Sequence, residues 1–316
     1  GDGTTDDSAR PRTVASIADA AQLGGHLPAT CIRRSGGQLA CFGRDLLGGA
    51  APSNSPITVA GLASASLVSH GPSARHACAL TSDGLRCFGN NDAGELGNGT
   101  TDSATPLAPT FTLPSITQLA VATVSAFNRG RTCAVYDGGR VGCWGSNLGG
   151  VLGDGTETDR STPVDATGLA DVTQIALGDL HSCARSSTGA VRCWGLNFYG
   201  EVGDGTTTTR SAPTLVTMPS ALDVSAHAGV SCATLASGGV RCWGRGENGR
   251  LGTSDYLPRT TPTAVTDLTT AVQVAAADAV CARLGTGAVV CWGPRAGLGN
   301  EDYAVSPRAP VSVAFP

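Results

Sequence analysis

The twelve cysteines carry the most chemistry in this chain. They fall in six pairs: Cys31 and Cys41, Cys78 and Cys87, Cys133 and Cys143, Cys183 and Cys193, Cys232 and Cys242, Cys281 and Cys291. The separation within a pair is ten residues, once nine, and successive pairs follow at 47, 55, 50, 49 and 49. Structural zinc wants thiolates about two to four residues apart, or histidines at fixed offsets, and these spacings do not make that knuckle. An even count in short, regular pairs reads as a disulfide framework. In SCARSSTGAVRCWG, Cys183 and Cys193 sit symmetrically about a Ser-Ser-Thr-Gly turn. Its arms alternate as strands do, which sets the two sulfurs opposite each other across an antiparallel hairpin. Six such disulfides imply an oxidising compartment: extracellular, cell surface or periplasmic.

The other reactive residues form no catalytic set. All 21 basic residues are Arg, so no Schiff-base or P-loop lysine exists. The histidines are His26, His70, His76, His181 and His227; His76 and His181 each stand two residues before the first Cys of a hairpin. That position predicts a ring bonded to backbone at a strand start. The GDGT loops carry Asp2, Asp154 and Asp204, with Asn98 as a variant. A calcium loop needs oxygen ligands at alternating positions, whereas one Asp between glycines and followed by Thr reads as a turn bonding its own amides. No metal or cofactor is expected, and no nucleophile elbow or metalloprotease helix is present. A net charge of −4 gives no field for nucleic acid, and no apolar run approaches the ~18 residues of a membrane helix.

The elements that position these residues are strands. Each module holds an apolar alternating run (DVTQIA), the two hairpin arms, and, after a Gly-rich turn, a strand entered through proline (APTLV). Four short strands per roughly fifty residues, with no helical periodicity, predict propeller blades. Trp144, Trp194, Trp243 and Trp292, with Phe42 and Phe88, follow the second Cys of each pair and are expected to pack between blades.

The string GDLHSCAR…GAVRCWGLNFYGEVGDGT resembles the repeat of the regulator of chromosome condensation family, and the resemblance covers essentially the whole chain. It implies a closed ring of four-stranded blades, usually seven. That family includes a chromatin-bound nucleotide exchange factor, a plant ultraviolet-B photoreceptor and a secreted bacterial inhibitor of β-lactamases. The exchange factor's protruding wedge needs a long insertion, and none is visible. A photoreceptor needs extra tryptophans, and every Trp here sits in the CWG slot. The paired cysteines depart from the intracellular members and point to an exported, bacterial branch.

The expectation is therefore one all-β propeller domain over residues 1–316, with six blades favoured over seven and one hairpin disulfide in each. Six hairpins share seven GDGTT-type tails, so one outer strand is surplus, and residues 1–14 either close the ring or are spare. Function is expected in loops on one ring face, binding a macromolecule and specifically a protein. The aromatic and charged residues there are Arg75, Phe127, Arg129, Arg131, Phe198, Tyr199, Arg245 and Glu247. Two other readings stand beside it: a structural subunit joined by exchange of terminal strands, and a carbohydrate-binding propeller. The latter wants an aromatic platform in each blade, which the aromatics outside the CWG slot do not supply in register.

Overall fold

A computed structural model describes residues 14, 16–26, 29–43, 53–59, 62, 64–69, 75–103, 113–124, 129–294 and 306–313. It is an all-β propeller with six blades among the described residues. The strands are β1 (Ala20–His26), β2 (Ala29–Arg34), β3 (Leu39–Gly43) and β4 (Ser53–Thr58) in blade 1; β5 (Leu67–Ser69), β6 (His76–Thr81) and β7 (Gly84–Gly89) in blade 2; and β8 (Gln118–Val124), β9 (Arg129–Tyr136), β10 (Arg140–Gly145) and β11 (Arg160–Asp165) in blade 3. Blade 4 holds β12 (Val172–Leu177), β13 (His181–Ser186), β14 (Val191–Gly195) and β15 (Arg210–Leu215). Blade 5 holds β16 (Ala221–His227), β17 (Val230–Leu235), β18 (Val240–Gly244) and β19 (Arg259–Ala264), and blade 6 holds β20 (Ala271–Ala276), β21 (Val280–Leu284), β22 (Val289–Trp292) and β23 (Val311–Ser312). Each is an antiparallel meander in sequence order; blade 2 shows three strands among the described residues. The described helical turns are single 3-10 turns, such as Leu148–Gly150.

The two middle strands of every blade pair Cys with Cys in direct register, Cys183 opposite Cys193 for example. All six disulfides form, each with Cα atoms 4.1 Å apart, close to the spacing of a non-hydrogen-bonded antiparallel pair. The fourth strand of blade 6 is the C-terminal β23, whose Val311 lies opposite Cys291 as Thr214 lies opposite Cys193 in blade 4. The segment 1–14, expected either to close the ring or to be spare, lies outside the described residues up to residue 13.

The blades group into two compact units, blades 1–3 and blades 4–6, the turn Leu148–Glu157 belonging with the second. In both, the apolar core lies between neighbouring blades, because a short sheet buries its faces only against the next one. In the first unit Cys78 and Cys87 pack with Leu119, Val121 and Trp144 of the following blade. In the second, Cys183 and Cys193 pack with Val224, Ala233 and Trp243, and Cys232 and Cys242 with Val274, Val280 and Trp292. The tryptophans occupy the inter-blade positions expected of them, all four fully buried.

Candidate functional site

Each Trp does more than fill space. Its indole N–H donates to a backbone carbonyl in the Gly-rich turn of the preceding blade: Trp144 to Glu95 (2.8 Å), Trp194 to Val151 (2.8 Å), Trp243 to Glu201 (2.9 Å) and Trp292 to Arg250 (2.9 Å). Those four acceptors share one slot, the second residue of GELG, GVLG, GEVG and GRLG. The turn is therefore pinned from the far side and can hold its outward side chains still.

The histidines act across the same seam. His76 Nε2 lies 2.9 Å from the Thr132 hydroxyl, and His181 Nε2 lies 2.9 Å from the Ser231 hydroxyl, in each case one blade further on. The hydroxyl in turn donates to the Glu95 or Glu201 carbonyl. Where the sequence suggests a backbone partner at the strand start, the ring meets a side-chain hydroxyl about one module away. Ser231 beside His181 has the look of a nucleophile and base, but Ser231 is fully buried and spends its proton on a carbonyl. Thr132 repeats the arrangement in the other unit, which makes it an architectural relay. A second cross-blade device left no signal in the sequence: Gln174 brackets Val224 with bonds to its N–H and C=O, as Gln22 does Val68.

The GDGT turns bond internally. Asp154 and Asp204 each accept from the amide and hydroxyl of the Thr two residues on. The amide of Asn197, fully buried, ties that loop to its own GEVG turn by donating to the Thr206 and Thr208 carbonyls while accepting from the Val202 N–H. Among the described residues no three His, Cys, Asp or Glu cluster as a metal site.

On this frame a cleft of about 170 Å³ opens between the loop ends of blades 4 and 5. Phe198 and Tyr199 form one lip, and Arg245, Ala228 and Gly229 the other, with His181 and Glu201 among the lining residues. Phe198 is 68% exposed and Tyr199 40%. The Arg245 guanidinium stands over the Tyr199 ring at 5.3 Å and bonds Glu247 at 2.5 Å. The Tyr199 N–H donates to the Glu201 carboxylate. Gly200 lets this loop approach blade 5: at its φ of +88°, a Cβ would sit 2.5 Å from the Thr260 Cα.

The remaining expected face residues distribute differently. Arg75 is exposed at the entry to β6. Arg129 is half-exposed and paired with Asp159. Arg131 is a correction: only 1% exposed, it lies in the core of the first unit and offers no binding surface. The sequence suggests a loop position before Cys133, whereas Arg131 lies within β9, opposite Gly145 of β10. Phe127 lies outside the described residues.

Burial raises the Glu95 and Glu201 carboxyls above the ordinary glutamate value of 4.5, backbone hydrogen bonds opposing the shift only in part. An acid with a raised folded pKa contributes stability that is full below its unfolded pKa and is lost as pH rises through the folded one. We expect the melting temperature to fall as pH rises from 4.5, and the double variant Glu95→Gln/Glu201→Gln to flatten that slope. Asp204 titrates oppositely. Burial pushes it up, but bonds from Thr206 and Arg210 outweigh that and lower it, so its contribution is lost only in acid below its usual value near 3.8.

Six disulfide-stapled antiparallel blades, five of them four-stranded among the described residues and seamed by Trp and His bonds, define the class: an all-β repeat propeller. The family model of the regulator of chromosome condensation (RCC1) repeat matches residues 138–185 and 237–284, and a second model of that repeat matches 172–201. Together these matches span residues 138–201 and 237–284, about a third of the chain, and mark those modules as similar to RCC1 repeats. No curated protein matches it in sequence. Among solved structures, human WBSCR16 is similar at a TM-score of 0.82 and 19% identity, over 98% of this chain and 85% of that one. Prp20p of Saccharomyces cerevisiae, described with its binding properties to Gsp1p and histones, is similar at 0.81 and 18%, over 98% and 81%. Yeast RCC1 (Prp20) bound to Kap60 is similar at 0.76 and 18%, over 93% and 74%. At these identities the likeness is one of fold.

Proposed function

We propose that this chain is an exported, non-catalytic scaffold that binds a protein through the cleft between blades 4 and 5. The observation that carries the reading is the Phe198–Tyr199 lip: a large, exposed aromatic pair on a loop fixed by Gly200, Asn197 and Trp243, facing an Arg already stacked on Tyr199. Rigid aromatic and Arg groups at the rim of a pocket are the usual anchors of protein interfaces. The partners named for Prp20p and yeast RCC1 are proteins too. Export is supported by the disulfides, since all twelve cysteines are paired, and cytosolic thiol pools keep such pairs reduced. Among the described residues no helix is long and apolar enough to cross a membrane.

The test is affinity capture from the source organism's culture with the oxidised protein, followed by measurement of Kd for the captured protein. Phe198→Ala/Tyr199→Ala is expected to weaken binding by roughly 30-fold or more, the loss typical of a hot-spot anchor, with an unchanged melting temperature. A double variant that binds as the wild type does would overturn this reading.

A further inference from the structure

We propose that Asn98 is an acceptor for N-linked carbohydrate. The inference rests on the export reading above. Residues 98–100 read Asn-Gly-Thr, the acceptor pattern of secreted proteins, and the structure adds four observations.

The side chain is already posed. The Thr100 hydroxyl donates to Asn98 Oδ1 at 2.9 Å and the Thr100 N–H donates to the same oxygen at 3.1 Å. Asn91 Nδ2 also approaches it, at 3.4 Å. With Oδ1 committed, Nδ2 makes no bond among the described residues, and that is the atom to be modified.

The site is also open. Asn98, Gly99 and Thr100 are all exposed, whereas Asp154 and Asp204, at the same point of sister loops, are half-buried. In the blade 4 loop, Arg210 closes over Asp204. Asn98 has Ala104 at the corresponding place in sequence, six residues on, so this loop lacks the Arg. A Cβ on Gly99 would meet nothing nearer than the Thr162 methyl at 4.0 Å.

The residue is singular as well. Asp154 and Asp204 hold their loops with the same chemistry but carry no amide nitrogen, and the sequence has Asp at position 2 as well, so of these four positions Asn98 alone can accept a glycan.

Lastly, the amide is protected from its commonest loss. In an Asn-Gly pair the glycine nitrogen attacks the Asn side-chain carbonyl, expelling ammonia and closing a succinimide, which water then opens to Asp or isoAsp. Here the Gly99 N–H is held by the Ser161 carbonyl at 2.8 Å, so the amide persists in the folded protein.

The group transfer balances with a lipid-linked oligosaccharide diphosphate as donor. Asn98 Nδ2 attacks the anomeric carbon, the carbon–nitrogen bond forms, and the carbon–oxygen bond to phosphate breaks. The lipid diphosphate leaves with the electron pair, and the amide proton passes to base.

The experiment secretes the full chain through a pathway that contains an oligosaccharyltransferase, keeping only folded protein without free thiols. Intact and peptide masses are then read before and after amidase removal of N-glycans. The expected result is carbohydrate on Asn98, absent from Asn98→Asp, which installs the sister loops' residue and so keeps the fold. Folded, fully disulfide-bonded protein whose Asn98 is bare, or has become Asp without carbohydrate, would overturn the assignment. Export is decided separately, by recovering the protein and its thiol state from the source organism. A bare Asn98 on protein recovered oxidised from the medium sinks the acceptor assignment alone.

Discussion

Replacing Trp243 with alanine is expected to destabilise the protein by about 3–5 kcal/mol, the range for emptying a fully buried aromatic site. Two terms contribute, and packing dominates. The indole is fully buried against Cys183, Cys193, Val224 and Ala233, and its Nε1 lies close to where a Cβ on Gly203 would stand. Leucine- or valine-sized neighbours anchored in separate sheets cannot collapse into the void, so the cavity persists. The lost hydrogen bond matters less, because the Glu201 carbonyl still accepts from the Ser231 hydroxyl at 3.0 Å. Trp243→Phe separates the terms. Phe88 already fills the equivalent slot in blade 2, so phenylalanine retains much of the packing, and the expected loss is roughly 1–2 kcal/mol. Chemical denaturation of both variants measures the difference. If alanine and phenylalanine cost the same, the tryptophan acts through its N–H, contrary to this account.

The second large effect is expected from reduction. Closing a loop of about ten residues removes roughly 2.5–3 kcal/mol of unfolded-state entropy in the chain-entropy model. Applied to six hairpins, this exceeds the ~5–15 kcal/mol that typically separates folded from unfolded protein. Complete reduction should therefore unfold the protein without denaturant. The paired change Cys183→Ala/Cys193→Ala should cost about 3 kcal/mol, because it removes one staple and leaves no lone thiol. Near-ultraviolet circular dichroism with and without reductant reads the first, and equilibrium unfolding the second. A reduced protein that keeps its full tertiary signal would show that inter-blade packing alone suffices.

These effects divide along the line between what was legible in the sequence and what was not. The hairpin staples were legible because both partners sit within one module, around a Gly turn, and a period of two sets the sulfurs opposite. The bonds that close the GDGT turns were legible for the same reason, spanning two residues. Contacts reaching into the next blade were only half legible. Apolar size placed Trp194 and Trp243 at the seam, but nothing in a single module reveals that His181 meets Ser231 or that Gln174 brackets Val224, some fifty residues on. Arg131 failed for a related reason. Where β9 begins is not marked in the sequence: Arg129 stands at its first residue, paired with Asp159, and Arg131 two residues further in, opposite Gly145. In the second unit the turn before β13, carrying Leu180, and the turns after Trp194 and Trp243, carrying Phe198, Tyr199 and Arg245, line one cleft. Nothing in composition marked that junction over the others.

The docking claim is tested most directly by photocrosslinking from two positions of the second unit in the source organism's own medium. A photoreactive phenylalanine at 198 reports on the cleft. The same group at Leu222, exposed at the opposite end of β16 from the cleft, reports on the far loops. The account predicts a discrete protein adduct at 198, competed away by unlabelled wild-type chain, and none at 222. An adduct at 222 alone, or equal adducts at both, would contradict it.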